Sequence, residues 1–259
     1  MKFVSERIGR SAILGRVKNQ YFGDINDYKK YGLLRLLAEG GWNRIAVCWM
    51  LTAPDGSTAG SRTRYLQQPE RWRQFDPELF DLLARAIALK QRQVDFARRR
   101  NFIPGAVYHA ALLGDAAATR ERYFAGLGAS VAGSNLIFFD PDNGMEVKSV
   151  LKGRKLSSKY LYWDELKRFY AAGYDVLIYQ HFRRNTGQTL EDFLRSLGRE
   201  LVRMTGAPRI VAFKTAQVIF FLLPQPGICA RITALRNSVA ERWGTEISTT
   251  VYPPDGGRR

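Results

Sequence analysis

Apolar and polar positions fall into blocks along the chain, and the period of the blocks changes from one to the next. Residues 27–39 carry Tyr28, Tyr31, Leu33, Leu34, Leu36 and Leu37 at helical spacing. They predict an amphipathic helix opened by Asn26 or Asp27 and closed by Gly40-Gly41. Residues 44–51 (RIAVCWML) form an unbroken apolar run between turn residues, as expected of a strand buried on both faces of a parallel sheet. Residues 78–99 predict one long helix, with Leu79, Leu82, Leu83, Ala86, Ile87 and Val94 on one side and Arg85, Lys90, Arg92, Arg98 and Arg99 on the other, continued by Arg100. Further helices are predicted at 115–127, 163–172, 190–204 and 230–243. Strands are predicted at 135–140 (NLIFFD), 174–179 (YDVLIY), 209–214, 217–223 and 247–252.

Strands alternating with helices argue an α/β fold, Rossmann-like, with a mostly parallel sheet. Two late strands in direct succession add an antiparallel terminal pair. The division expected is a basic leader over 1–19, one α/β domain over 20–252 with a helical insertion at about 67–125, and a Pro/Gly-rich flexible tail over 253–259. Open α/β sheets bind ligands beyond the carboxyl ends of their strands. The segments 52–64, 140–148 and 180–184 are therefore where chemistry is sought.

Composition narrows the class of partner. Lys+Arg 40 against Asp+Glu 24 leaves a formal charge of +16, which favours polyanions, and nucleic acid, DNA or RNA, is the expected partner. The longest apolar stretches are far too short to span a bilayer, and the N-terminal residues carry charge throughout, so neither a membrane partner nor a signal peptide is expected. The two cysteines, Cys48 and Cys229, both sit in apolar runs. They are read as small buried hydrophobes in a reduced, cytoplasmic protein. With two histidines and two cysteines, a zinc site is not expected.

Four segments could carry chemistry. In Phe138–Glu146 (FFDPDNGME) an apolar strand delivers Asp140 and Asp142 at its carboxyl end, with Pro141 fixing the backbone between them and Asn143-Gly144 turning the chain. Residues 21–32 (YFGDINDYKKYG) are polar and aromatic at once and stand directly before a helix, where an anion site or an N-cap is equally at home. Residues 52–65 are rich in small and hydroxyl residues and then present Arg62 and Arg64, a composition suited to phosphate or carboxylate. His181 ends the strand YDVLIY and could act as a general base tuned by a carboxylate; His109 is read as structural.

This layout resembles the class I S-adenosylmethionine-dependent methyltransferases, most closely the ribosomal RNA adenine-N6 methyltransferases of the J type, in order and spacing over about residues 18–245. The resemblance matches the loop 19–30 and its helix, the strand and loop at 44–65, the insertion, the terminal antiparallel pair, and Asp140-Pro141-Asp142-Asn143 in the place of D-P-P-Y. It implies S-adenosylmethionine as cofactor and a base amino group as target. Asp140 would accept from that amino group, and Asp142 and Asn143 would orient the substrate. Asp24, Lys30, Thr52, Asp55 and Ser57 would contact the cofactor, and Arg62, Arg64, Lys159 and Arg183 would hold phosphates. Two departures stand out. The loop reads T-A-P-D-G-S without a compact glycine signature, and Asn143 offers no ring to stack on a base.

Two other function classes use the same residues. Asp140, Asp142 and Glu146 could hold Mg²⁺ beside Lys148 in a nuclease, although such enzymes usually separate these elements by a strand-length interval. A non-catalytic nucleic-acid binder would need the charge alone.

Overall fold

The computed structural model describes residues 22–53, 62–182 and 187–252. The leader 1–19, the tail 253–259, and the candidate residues Asp55, Ser57 and Arg183 lie outside the described residues. The elements that build the site are, in chain order, α1 (Ile25–Glu39), β1 (Ile45–Cys48), α2 (Pro69–Trp72), α3 (Pro77–Ala88), α4 (Val94–Arg99), β2 (Val107–His109), α5 (Ala117–Ser130), β3 (Leu136–Phe139), β4 (Gly144–Met145), β5 (Tyr160–Leu161), α6 (Trp163–Ala171) and β6 (Asp175–His181). The chain then continues through α7 (Leu190–Thr205), β7 (Ile210–Lys214), β8 (Val218–Leu223), α8 (Cys229–Trp243) and β9 (Ser248–Tyr252).

Seven strands form one Rossmann-like sheet in the order β2-β1-β3-β6-β8-β7-β9. β2, β1, β3 and β6 run parallel, while β8 is inserted antiparallel between β6 and β7, and β9 closes the edge antiparallel to β7. The apolar runs lie in the middle of the sheet because both of their faces are covered. Residues such as Val47, Phe138, Leu177 and Phe220 pack under α1, α3, α4 and α8, whereas Cys48, Ile137, Phe139 and Ile178 pack under α5, α6 and α7. The first layer is heavily aromatic. Tyr28 stacks on Tyr65 and leans on Trp243, and its hydroxyl donates to Trp72 O at 2.8 Å.

α1 lies so close to α8 that a Cβ at Gly32 would come within 2.3 Å of the Trp243 ring. Gly32→Ala is therefore expected to cost about 1–3 kcal/mol through overpacking, measured as a shift of the urea midpoint at unchanged slope. An unshifted midpoint would mean that the two helices separate freely.

Three expectations are corrected. The helix predicted over 78–99 is two helices, because the chain reverses through Lys90 at φ 53° and resumes only at Val94. The insertion is not wholly helical. Residues 107–109, including His109, supply β2, the edge strand of the main sheet, a segment too short for the alternation to declare itself. Cys229 is exposed as the first residue of α8, while Cys48 is buried, with its Sγ 3.1 Å from the Tyr123 hydroxyl and its thiol pushed by burial up to about 12. No described helix is long and apolar enough to cross a membrane.

Candidate functional site

β2 lies on one side of β1 and β3 on the other, so the direction of winding reverses between β1 and β3. In open α/β sheets that reversal opens the crevice where ligands bind. The crevice here is occupied by side chains from α1. Strand alternation turns Leu136, Phe138 and the next residue of that parity, Asp140, to the face that α1 covers. Lys30 comes down from α1 and donates to Asp140 Oδ2 at 2.8 Å and reaches Asp27 Oδ1 at 2.6 Å, with only 7 % of the lysine exposed. Its ammonium lies 5.3 Å from the Tyr31 ring centre and 5.9 Å from that of Tyr179.

The start of α1 is built to hold these acids. α1 begins at Ile25 rather than at Asp27, because Asp24 is its N-cap and accepts from the backbone N–H groups of Asn26 and Asp27 at 2.8 and 3.0 Å. Asp27 Oδ2 accepts from Gly23 N at 2.9 Å, at a glycine whose φ of +83° suits the tight entry. The chain after β1 runs alongside, with Ile25 N donating to Arg62 O at 3.1 Å.

Two buried carboxyl groups, Asp24 and Asp27, and the largely buried Asp140 thus gather around one buried ammonium in a chain of net charge +16. Burial pushes Asp140 up to about 6 against the pull of Lys30, and burial together with the neighbouring Asp27 pushes Asp24 up to about 7. Burial opposes the charge of Lys30, but the carboxylates of Asp140 and Asp27 outweigh it and hold the ammonium well above its ordinary value.

Both raised acids bind a proton more tightly in the folded chain than in the unfolded one. Their contribution to stability is therefore fully present below about pH 4 and is lost as pH rises through about 6 and about 7. Asp24→Asn keeps a good cap and removes one titration. Its melting temperature is expected to fall less between pH 4 and 7.5 than that of the parent chain, and an equal fall would contradict the acid excess.

The turn after β3 is held from several sides. Thr52 donates to Asp142 Oδ2 at 3.2 Å, tying the β1 and β3 loops together. Asn143 N donates to Lys159 O at 2.9 Å, and Gln180 Nε2 reaches Asn143 O at 3.2 Å while its Oε1 accepts from Met145 N at 2.8 Å. Gly144, at φ +101°, has no room for a Cβ, which would lie 2.3 Å from Gln180 Oε1. His181 closes β6 beside Tyr179, their rings 5.0 Å apart, on the same face as Asp140. Two buried donors at this end of the sheet, the Tyr31 hydroxyl and Trp49 Nε1, have no hydrogen-bond partner among the described residues. Met50, one residue on, is strained at φ 46°.

The structure therefore brings Asp24, Lys30 and Asp140 together, with Thr52, Asp142, Asn143 and His181 on the adjoining loops and strand end. Asp140 is not a solvent-facing strand tip, as its placement in the sequence suggests, but a largely buried member of an ion pair. Glu146 does not join it: its Oε2 accepts from Trp163 N at 2.9 Å, at the start of α6. Lys148 is exposed on the following loop, and among the described residues no group of three His, Cys, Asp or Glu is placed to hold a metal. Arg62 and Arg64 are exposed beside α1, and Lys159 is half-buried against Asn143. Arg98 and Arg99 are committed to Asp95.

Sequence reasoning gave no site role to Trp49 or Tyr179, and it held Asp27 and Tyr31 only as part of the segment 21–32 and Gln180 only as part of 180–184. Asp27 and Lys30 carried a usable signal, since an acid and a base three apart share one helix face. Gln180, a polar residue inside a buried strand, carried a weaker one. Comparison of the chain with protein-family models, with curated proteins and with solved structures found no match.

Proposed function

We propose that this chain is a nucleic-acid-directed group-transfer enzyme that methylates an amino group of a base, with S-adenosylmethionine as the donor. The observation that carries this reading is the excess of carboxylate at the topological switch point of a parallel sheet, inside an otherwise strongly basic protein. An acidic crevice suits a cationic donor and a hydrogen-bond-donating amino group. It repels the phosphate that a hydrolase would have to draw in. The basic exterior, with Arg62 and Arg64 exposed near the crevice, suits the sugar-phosphate chain that delivers the base.

The residues fit such a donor. Asp140, Asp142 and Thr52 offer oxygen acceptors on adjoining loops, and the Tyr31 hydroxyl and Trp49 indole, without a hydrogen-bond partner among the described residues, offer donors. When bound, S-adenosylmethionine would supply an electrophilic methyl group. Asp140 would accept a hydrogen bond from the amino group of the base, and Lys30 would keep that carboxylate oriented. His181, on the same face, would take up the released proton. Asn143 would position the base by hydrogen bonding in place of a stacked ring. Mg²⁺ does not fit as well, because Lys30 already stands between Asp27 and Asp140 and Glu146 is turned to α6.

Titration calorimetry and thermal shift test this directly. S-adenosylmethionine or S-adenosylhomocysteine is expected to bind and to raise the melting temperature, whereas Mg²⁺ leaves it unchanged. A shift from Mg²⁺ or Mn²⁺ and none from millimolar donor would replace this reading with metal-dependent phosphodiester hydrolysis.

A further inference from the structure

Between β4 and β5 the chain makes a loop over residues 146–159. From Val147 to Lys159 it reads VKSVLKGRKLSSK, with five basic residues and no acidic one. Both ends of the loop are fastened to the turn that bears Asp140. β4 pairs with β5 through Gly144↔Tyr160 and Met145↔Leu161, and Asn143 N donates to Lys159 O.

The loop is also fixed along its length. Asp115 accepts from Leu156 N at 2.9 Å and from Ser158 N at 2.8 Å, Arg120 Nη1 donates to Ser157 O at 2.8 Å, and the Tyr162 hydroxyl donates to Val150 O at 2.9 Å. Leu156 is held at φ 71°, a conformation that an isolated leucine avoids. Of its cations, Lys152 is used internally by Asp164 and Glu165. Lys148, Arg154 and Lys155 are exposed and form no ion pair among the described residues. Leu151, in their midst, is 67 % exposed, more than any other large apolar side chain described.

A loop fastened in this way, with no acid beyond Glu146, that presents three cations, Leu151 and the less exposed Leu156 is shaped for a partner that is anionic and apolar at close spacing. We propose that this loop is the nucleic-acid contact surface of the site, with Lys148, Arg154 and Lys155 holding phosphates and Leu151 packing against the bases beside the one presented to Asp140. It rests on the reading of the chain as acting on nucleic acid. The phosphates supply the charge, and the unstacked base faces supply the apolar area that Leu151 lacks in the free protein. An anionic membrane surface has the same charge and is the competing occupant in the test.

Fluorescence anisotropy with labelled mixed-sequence RNA and DNA 30-mers, single-stranded and duplex, is read over a series of salt concentrations. The triple variant Lys148→Ala/Arg154→Ala/Lys155→Ala is expected to lower the log–log salt slope by about 2–3, since each lost phosphate contact removes about 0.7–0.9. Leu151→Ala is expected to weaken binding by about tenfold with the slope unchanged, the signature of lost apolar contact. Melting temperatures equal to that of the parent chain show that both variants are folded, and donor binding by calorimetry is measured on the same samples.

An unchanged slope in the triple variant overturns the proposal, as does a parent chain that binds no oligonucleotide. So does a triple variant that loses capture by phosphatidylserine vesicles while holding oligonucleotides like the parent. Loss of slope with no donor binding by any sample keeps the surface and removes methyl transfer, so the two failures are distinguishable.

Discussion

Lys30→Met is expected to be the most damaging single substitution in the crevice. Among the described residues the lysine is the buried cation paired with Asp27 and Asp140, and both carboxylates turn their oxygens to it. Removing one partner of a buried ion pair leaves charge without compensation, a loss of about 3–5 kcal/mol. Part of that loss returns if the acid is neutralised as well. Lys30→Met/Asp140→Asn is thus expected to be more stable than Lys30→Met alone, because a neutral amide replaces an unpaired carboxylate. Chemical denaturation of the two variants and the parent gives the comparison. A Lys30→Met chain as stable as the parent would mean that the acids are solvated and that the crevice is open to water.

Asp140→Asn has the opposite profile, with a large effect on turnover and a small one on stability. Lys30 keeps Asp27 when Asp140 becomes neutral, and the acid lost is one that burial already penalises. Above about pH 6 the variant is expected to melt no lower than the parent chain, since the parent then carries a buried charge that the variant lacks. For the proposed methyl transfer, the variant's turnover is expected to fall by about 10²-fold or more, the scale of losing one electrostatic contact to the reacting group. A destabilised variant with full turnover would make Asp140 a structural partner of Lys30 and nothing more. Measuring both quantities on one preparation separates the roles.

The hydrophobic pattern conveys the central strands, because each is buried on both faces and so leaves an unbroken apolar run, while the mostly parallel direction follows from the helices between them. β3 and β8 are plain in the sequence for that reason. β2 is not, since three half-buried residues at an edge need no more apolar character than a loop. The break between α3 and α4 is hidden as well. It is made by Lys90 in a left-handed conformation, where a glycine or proline would have announced it.

In the crevice, Asp140 was legible as a carboxylate ending a buried strand, and Asp24 and Lys30 as polar residues near a helix start. Their convergence was not, because it depends on how α1 crosses the sheet and joins residues 110 apart in sequence. Glu146 was misleading for a related reason. Nearness in sequence to Asp140 suggested a shared ligand set, yet β4 carries the chain away, and Glu146 serves the start of α6.

The decisive measurement is the transfer itself. Nucleic acid is incubated with the protein and S-adenosylmethionine carrying a deuterated methyl group, then digested to nucleosides and examined by mass spectrometry. Label is expected on the amino group of a base with the parent chain, and at about a hundredth of that level or less with Asp140→Asn. A preparation that binds both donor and nucleic acid yet transfers no label to any base would contradict methyl transfer at this crevice.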